Sequence, residues 1–313
     1  MFGTSSYSTR LGIHITRDAI AVSEFNPANP AAPIKSCLFI ATAVDAERSL
    51  QLNSHIKQKK LKNRPCTVVL DTSYYDLYQL PAPPVEDAEL NAAMRWRVKD
   101  LISYPVADAV IDVFRVPVAA HREAKVYVAV SPKTSIQHTV DMIHRSGLVL
   151  EAIDIEQLSM LGIIEKMDTQ KKGLAVLNMG KHSGSISLYH DNHLFLTRKI
   201  DMGLERIEAM NSDNADTQAM RETVYDPIIL ELQRSLDFYE SEFAKPPISR
   251  LMVAPRHPLL QGFCDHASSN FGMDAGFINL AQLYTASNNL SDEHQANCLL
   301  AIAAAARKPA VTA

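Results

Sequence analysis

The chain has 313 residues, of which 47% are hydrophobic and 21% charged, and its 31 Lys and Arg against 35 Asp and Glu leave a net charge of −4. That balance describes a globular protein with enough length for one large or two medium cores, and it gives no global drive toward nucleic acid. No run approaches the roughly 18 apolar residues that would span a bilayer, so direct membrane insertion is not expected.

The opening MFGTSSYSTR lacks a basic stretch followed by an apolar one, so no signal peptide is expected. Leu11–Phe25 (LGIHITRDAIAVSEF) reads as an apolar strand, a short polar turn and a second apolar strand. Asn26–Pro33 is a loop on composition, Ile34–Thr42 a third strand, and Ala46–Leu61 a polar helix. The basic run Lys57–Arg64 reads as a solvated face. Cys66–Leu70 (CTVVL) is a short buried strand.

Pro81–Pro84 (PAPP) breaks the chain, and Glu86, Asp87 and Glu89 crowd the start of a helix, where acidic groups favour the dipole. Leu90, Met94, Val98, Leu101 and Ile102 give that helix its apolar face. Trp96, the only tryptophan, falls beside the stripe between Arg95 and Arg97. It can pack under neighbouring strands or stand out as an anchor for a partner peptide, since aromatics and arginine dominate binding hot spots. Val110–Val116 and Lys125–Val130 read as strands, Ser135–Arg145 as a helix stopped by Gly147, and Leu148–Ile153 as a strand. This order suggests an inserted α+β subdomain over 74–153.

Ile155–Lys166 is amphipathic, and the polar Asp168–Gly173 reads as a linker between halves. Leu174–Tyr189 (LAVLNMGKHSGSISLY) then repeats the strand–turn–strand pattern of the opening, with a further strand, His193–Ile200, across the turn Asp191–Asn192. His190 and His193 flank that turn with no third ligand evident, so a hairpin turn is expected rather than a metal site. Asn211–Thr217 is polar and expected exposed. Asp226 and Pro227 start a long helix as N-cap and first-turn proline. Arg250–Ala254 reads as a buried strand, Pro258–Phe271 as a helix, and Glu293–Arg307 as an alanine-rich closing helix that packs back on the first half.

The four cysteines, Cys37, Cys66, Cys264 and Cys298, form no CxxC pair and no metal spacing, and a reducing compartment is expected. Neither Ser183 beside His182 nor Cys264 near His266 sits in a nucleophile elbow.

Four stretches carry a resemblance to a known family: Ala92–Asp112 (AAMRWRVKDLISYPVADAVID), Tyr127–Glu156 (YVAVSPKTSIQHTVDMIHRSGLVLEAIDIE), Asn178–Gly203 (NMGKHSGSISLYHDNHLFLTRKIDMG) and Glu231–Tyr239 (ELQRSLDFY). The chain resembles the PilM family of type IV pilus assembly proteins over nearly its whole length, and within it the MshI branch of mannose-sensitive haemagglutinin (MSHA) pili. The resemblance implies an α/β, actin-like fold: two RNase-H-like domains around a cleft, with an inserted α+β subdomain in the first half. It divides the chain into a first subdomain (1–73 and 154–170), the insertion (74–153) and a second domain (171–313, helical over about 204–247). It implies a cytoplasmic protein recruited to the inner face of the inner membrane. Its expected partners are the cytoplasmic N-terminal segment of a bitopic, PilN-like inner-membrane protein and the pilus motor ATPase.

Family members that bind ATP use three turns. The first carries an Asp and a Gly, where this chain has His14 and Thr16 after Gly12, and the family's later Lys is Ala21. The second carries another Asp and Gly, here Asn178 and Gly180. The third is Gly-rich, and here reads Ala254, Pro255, Arg256, His257. Mg²⁺ prefers carboxylate and phosphate oxygens, glycine permits close backbone approach, and proline removes an N–H. The substitutions imply a pseudo-ATPase with no cofactor, in which Gly180, Lys181, Ser183 and Gly184 form either a residual anion cradle or a plain hairpin turn. The alternative is a nucleotide switch with slow ATPase activity, the only reading under which ATP and Mg²⁺ enter, with Lys181, Arg256 or Arg17 as counter-charge. A third reading, a filament-forming relative, is favoured by no feature of the sequence.

Overall fold

Two hairpins organise the molecule, one at the start of each half. The computed structural model describes residues 9–29, 33–118, 122–168, 170–212, 224–284 and 290–307. In the first half, β1 (Arg10–Ile15) pairs antiparallel with β2 (Ala19–Phe25), which pairs with β3 (Ile34–Ala41). On the other side of β1 lie β4 (Pro65–Leu70) and β8 (Val149–Ile155), both parallel, for a sheet order β3-β2-β1-β4-β8. The second half builds a matching sheet, β11-β10-β9-β12-β13, from β9 (Leu174–Met179), β10 (Gly184–His190), β11 (His193–Ile200), β12 (Arg250–Ala254) and β13 (Asp274–Phe277). In each sheet a central strand is flanked by its hairpin partner on one side and parallel strands on the other. Such parallel strands are buried on both faces, which is why CTVVL and LMVA read as near-continuous apolar runs.

Helices cover the sheets. In the first half these are α1 (Asp45–Gln58) and α3 (Lys133–Ser146), which pack on each other. In the second half they are α7 (Asp226–Phe243), seated on β10 and β11, and α8 (Gln261–Phe271) against β13. A shorter helix, α6 (Leu204–Ser212), precedes α7. The segment expected to be one helix over Ile155–Lys166 is two, α4 (Glu156–Ser159) and α5 (Leu161–Met167), joined at Met160. Asp226 lies inside α7 rather than at its N-cap, which is Tyr225; Pro227 still occupies the first turn. The polar segment Asn211–Thr217 lies, from 213 on, outside the described residues.

The closing helix α10 (Asp292–Ala306), which follows the short α9 (Leu280–Leu283), packs on β1 and β2 of the first sheet. Its alanine face, Ala301 and Ala303–Ala305, is buried. The approach is so close that a Cβ on Gly12 would overlap the Ala301 carbonyl oxygen, and one on Gly162 the Ala303 carbonyl oxygen. Arg307 pairs with Asp154, whose carboxylate also accepts from Ser159 at 3.0 Å, so the far end of α10 is pinned to the first domain. Cys37 on β3 and Cys298 on α10 meet as a disulfide, contrary to the expectation of four unpaired thiols. Cys66 and Cys264 are free and buried.

The insertion is smaller than 74–153. A three-stranded antiparallel sheet of order β5-β7-β6, from β5 (Asp76–Pro81), β6 (Ala109–Val116) and β7 (Lys125–Pro132), carries α2 (Asp87–Val98) on one face. The expected last helix and strand of this unit are α3 and β8, which belong to the first sheet. Local order along the chain cannot separate the two sheets; the register of β8 against β4, Pro65 opposite Val149 through Leu70 opposite Ile155, does. The insertion has its own core, of Leu90, Met94, Val98, Val126, Val128 and Val130.

Candidate functional site

The turns of the two hairpins face each other. In the first, Thr16–Asp18, two backbone N–H groups serve the turn itself. Thr16 N–H donates to the Ala19 carbonyl (3.0 Å) and Asp18 N–H to Thr16 Oγ1 (3.3 Å). The carbonyls of Thr16 and Arg17 accept from the buried Arg48 guanidinium. The second turn, 180–183, is held by one internal bond and by the helix that follows. Gly180 N–H donates to the Ser183 carbonyl (2.9 Å), and the carbonyls of Gly180 and Lys181 accept from Leu204 and Glu205 at the start of α6, each at 3.0 Å.

Side chains join the turns directly. Lys181 Nζ lies 2.7 Å and His182 Nε2 2.8 Å from Asp18 Oδ2, and His182 Nδ1 lies 2.9 Å from Glu205. Ser183 Oγ meets Thr72 Oγ1 at 3.3 Å. The hydrogen bond from Lys181, then that from His182, holds the Asp18 carboxyl below its usual range. Asp18 in turn raises Lys181. Lys181, on a turn and 57% exposed, is half of a solvent-facing bridge across the cleft.

Behind the bridge, His14 (end of β1), Asp71 (after β4) and Glu156 (start of α4) converge, with ligand-type atoms within 4.8 Å of one another. His14 Nε2 lies 3.8 Å from Glu156 Oε1 and is buried without a hydrogen-bond partner. Asn178 Nδ2, from the second sheet, donates to Glu156 Oε2 at 3.2 Å. Burial, and then the negative charge of Asp71, push the Glu156 carboxyl up to about 8, against the Asn178 hydrogen bond. Burial pulls the His14 imidazole down to about 4, with Asp71 opposing. At neutral pH the 3.8 Å approach is thus between uncharged groups and is too long for a hydrogen bond.

Two hollows flank the bridge. One, of about 360 Å³, is lined by His14, Thr16, Asp18, Asp71, Lys181 and His182. The other, of about 390 Å³, includes Arg17, Asp71, Thr72, Ser183 and Lys199.

The residues expected at a remnant nucleotide cleft separate into two groups. His14, Thr16, Asn178, Gly180, Lys181 and Ser183 come together. Gly12 does not belong with them: its missing Cβ makes room for α10, not for phosphate. Ala254, Pro255 and Arg256 line neither hollow; Arg256 stacks on Phe277 (5.5 Å) and pairs with Asp292 at 3.8 Å. Of the turn amides, those of Thr16, Asp18 and Gly180 are used within the turns, and the Lys181–Asp18 bridge crosses the intervening space.

Asp71 and Glu156 escaped the sequence reading. The signal was their position one residue beyond the parallel strands Cys66–Leu70 and Val149–Ile155, where parallel sheets present functional groups.

His190 and His193 form no metal pair: His190 is buried with Nδ1 3.0 Å from the Tyr239 hydroxyl, and Asp191 and Asn192 adopt the positive φ of a tight hairpin turn. Burial raises the thiols of Cys66, to about 12, and Cys264, to about 11, so neither is a poised nucleophile.

A second feature lies between the first sheet and the insertion. A groove of about 330 Å³ is lined mainly by apolar side chains, among them Val110, Phe114, Ala129, Ile136, Ile153 and Leu158. Its walls include β6 and β8, each an outer strand of its sheet. Trp96 is 74% exposed, which removes the expectation that it packs under strands. Arg95 and Arg97 turn back to donate to the carbonyls of Val106 (2.8 Å) and Pro81 (2.7 Å).

No helix among the described residues is long and apolar enough to cross a membrane. Neither a family model nor a curated protein sequence matches the chain. Among solved structures, a chain of a PilM-PilN type IV pilus biogenesis complex is 20% identical, with a TM-score of 0.72 over 95% of this chain and 97% of that one. A Bacteroides thetaiotaomicron protein with an actin-like ATPase fold and unknown function is 11% identical, with a TM-score of 0.52 over 95% and 99%. The cytoplasmic domain of EpsL, an inner-membrane component of the Vibrio cholerae type II secretion system, is 14% identical, with a TM-score of 0.48 over 79% and 82%. With its paired sheets and facing hairpins, the chain has the actin-like fold.

Proposed function

We propose that this chain is a non-catalytic, actin-like scaffold of type IV pilus assembly, working at the cytoplasmic face of the inner membrane. It docks the short cytoplasmic segment of a PilN-like bitopic membrane protein. The observation that carries the reading is the groove between the outer strands β6 and β8. Outer strands offer unpaired backbone groups to an added extended segment, and flanking apolar pockets select its side chains. A short N-terminal segment ahead of a membrane span has that form. The similar solved chain, described as part of a PilM-PilN complex, supports the same class of partner. The four PilM-like stretches support the MSHA branch. The exposed Trp96 offers a second anchor for a partner peptide.

The non-catalytic part of the reading rests on the cleft, where the Lys181–Asp18 bridge joins the two turns and His14 and Asn178 stand where the resemblance expects carboxylates. The rival reading, a nucleotide switch with slow ATPase activity, draws on one observation: the cleft holds two carboxylates, Asp71 and Glu156.

The test is a fluorescence-anisotropy titration of the purified chain into a labelled synthetic peptide carrying the cytoplasmic segment of the PilN-like protein encoded with it. Saturable binding that a scrambled peptide fails to compete is the expected result. Equal binding of both peptides, or of neither, contradicts the docking reading.

A further inference from the structure

The His14, Asp71 and Glu156 side chains come from the ends of β1 and β4 and the start of α4, three points that the sheet brings together. They offer one imidazole nitrogen and two carboxylates within 4.8 Å of one another. Three observations argue that this corner is built for a cation. His14 Nε2 is buried and unpartnered, and it points at Glu156 Oε1. Asn178 Nδ2 donates to the other oxygen of the same carboxylate, Oε2, which turns Oε1 toward His14. That is the arrangement in which an outer hydrogen bond orients a metal-binding carboxylate. Finally, among the described residues neither Asp71 nor Glu156 forms an ion pair with lysine or arginine; the nearby Lys181 is spent on Asp18.

We propose that His14 Nε2, Asp71 and Glu156 Oε1 bind one divalent transition-metal ion, of the class of Zn²⁺, in the absence of any nucleotide. One nitrogen and two oxygens suit such an ion better than Mg²⁺ or Ca²⁺, which take oxygen-only shells. Ligands at about 2.1 Å in a tetrahedral shell stand about 3.4 Å from one another, so the 3.8 Å between His14 and Glu156 needs only a small closure. Thr16, Asp18 and Lys181 line the adjoining hollow and leave space for water as a fourth ligand. The ion would tie β1, β4 and α4 together and, through Asn178, reach the second domain. This inference does not depend on the docking reading.

The test uses the full chain, stripped with EDTA, and the metal alone as probe. Calorimetric titration with ZnCl₂, and Co²⁺ absorption as a geometry readout, are compared for wild type, Asp71→Asn and Glu156→Gln, with folding checked by circular dichroism. Asp71 is only half-buried, so Asp71→Asn carries the test if Glu156→Gln fails to fold. The expected result is one equivalent of Zn²⁺ that excess Mg²⁺ does not displace. Its affinity should fall at least about tenfold in a folded variant, since even outer-shell changes cost that much. Absence of the site in the wild type overturns the proposal. So does a Zn²⁺ equivalent bound equally by every folded variant, which would place it on surface histidines.

Discussion

Gly12→Leu lowers the melting temperature by about 5 °C or more, or yields only aggregated protein, whereas a leucine at the exposed Lys57 on α1 leaves it unchanged. The reason is the approach of α10 to β1. Any Cβ at position 12 lands on the Ala301 carbonyl oxygen and within 2.8 Å of Ala305 N, both backbone atoms inside a helix. Overpacking relieved by a shifting side chain costs about 1–3 kcal/mol. Here the whole helix has to move, and with it the buried faces of β1 and β2. A cost of about 3 kcal/mol or more is a large share of a typical domain's stability and corresponds to about 5 °C or more at this size. Thermal unfolding followed by circular dichroism checks it. An unchanged midpoint would mean that α10 does not seat on β1.

Val110→Arg weakens capture of the partner segment about 30-fold while leaving the fold intact. Val110 lies on the outer strand β6, lines the groove and is 39% exposed, so an arginine there can reach solvent in the free protein. With a segment in the groove the guanidinium would be covered without a partner. Substitutions at the centre of an interface cost about 2 kcal/mol or more, which is about 30-fold in affinity. The same anisotropy titration reads the change. Equal affinity for wild type and variant would move the docking site off the groove, and the exposed Trp96 would be tested next.

Much of the fold was legible in the sequence. The hairpins at 11–25 and 174–189, the buried strands at 66–70 and 250–254, and the alanine-rich last helix all carry periodic or continuous apolar patterns set by local burial. The allocation of 133–155 was not legible. A helix followed by a strand reads the same whether the strand joins a nearby sheet or a distant one, and only the β4–β8 register decides. The Cys37–Cys298 pairing spans 261 residues and could not be read from spacing.

The site was half legible. His14 and Asn178 stood out as departures from an expected pattern, but Asp71 and Glu156 look like any acidic residue after a strand until three elements bring them to one corner. Gly12 shows the converse error. It reads as a phosphate glycine in sequence, and it is a helix-packing glycine in three dimensions. The Lys181–Asp18 bridge, between residues 163 apart, had no sequence signal at all.

The scaffold reading requires a cleft that does not serve a nucleotide. The most direct measurement is a calorimetric titration of the purified chain with ATP, with and without Mg²⁺. The account predicts no binding heat up to millimolar ATP in either condition. Saturable, Mg²⁺-dependent binding would contradict it: the Lys181–Asp18 bridge would then have to open to admit phosphate, and the nucleotide-switch reading would replace the scaffold.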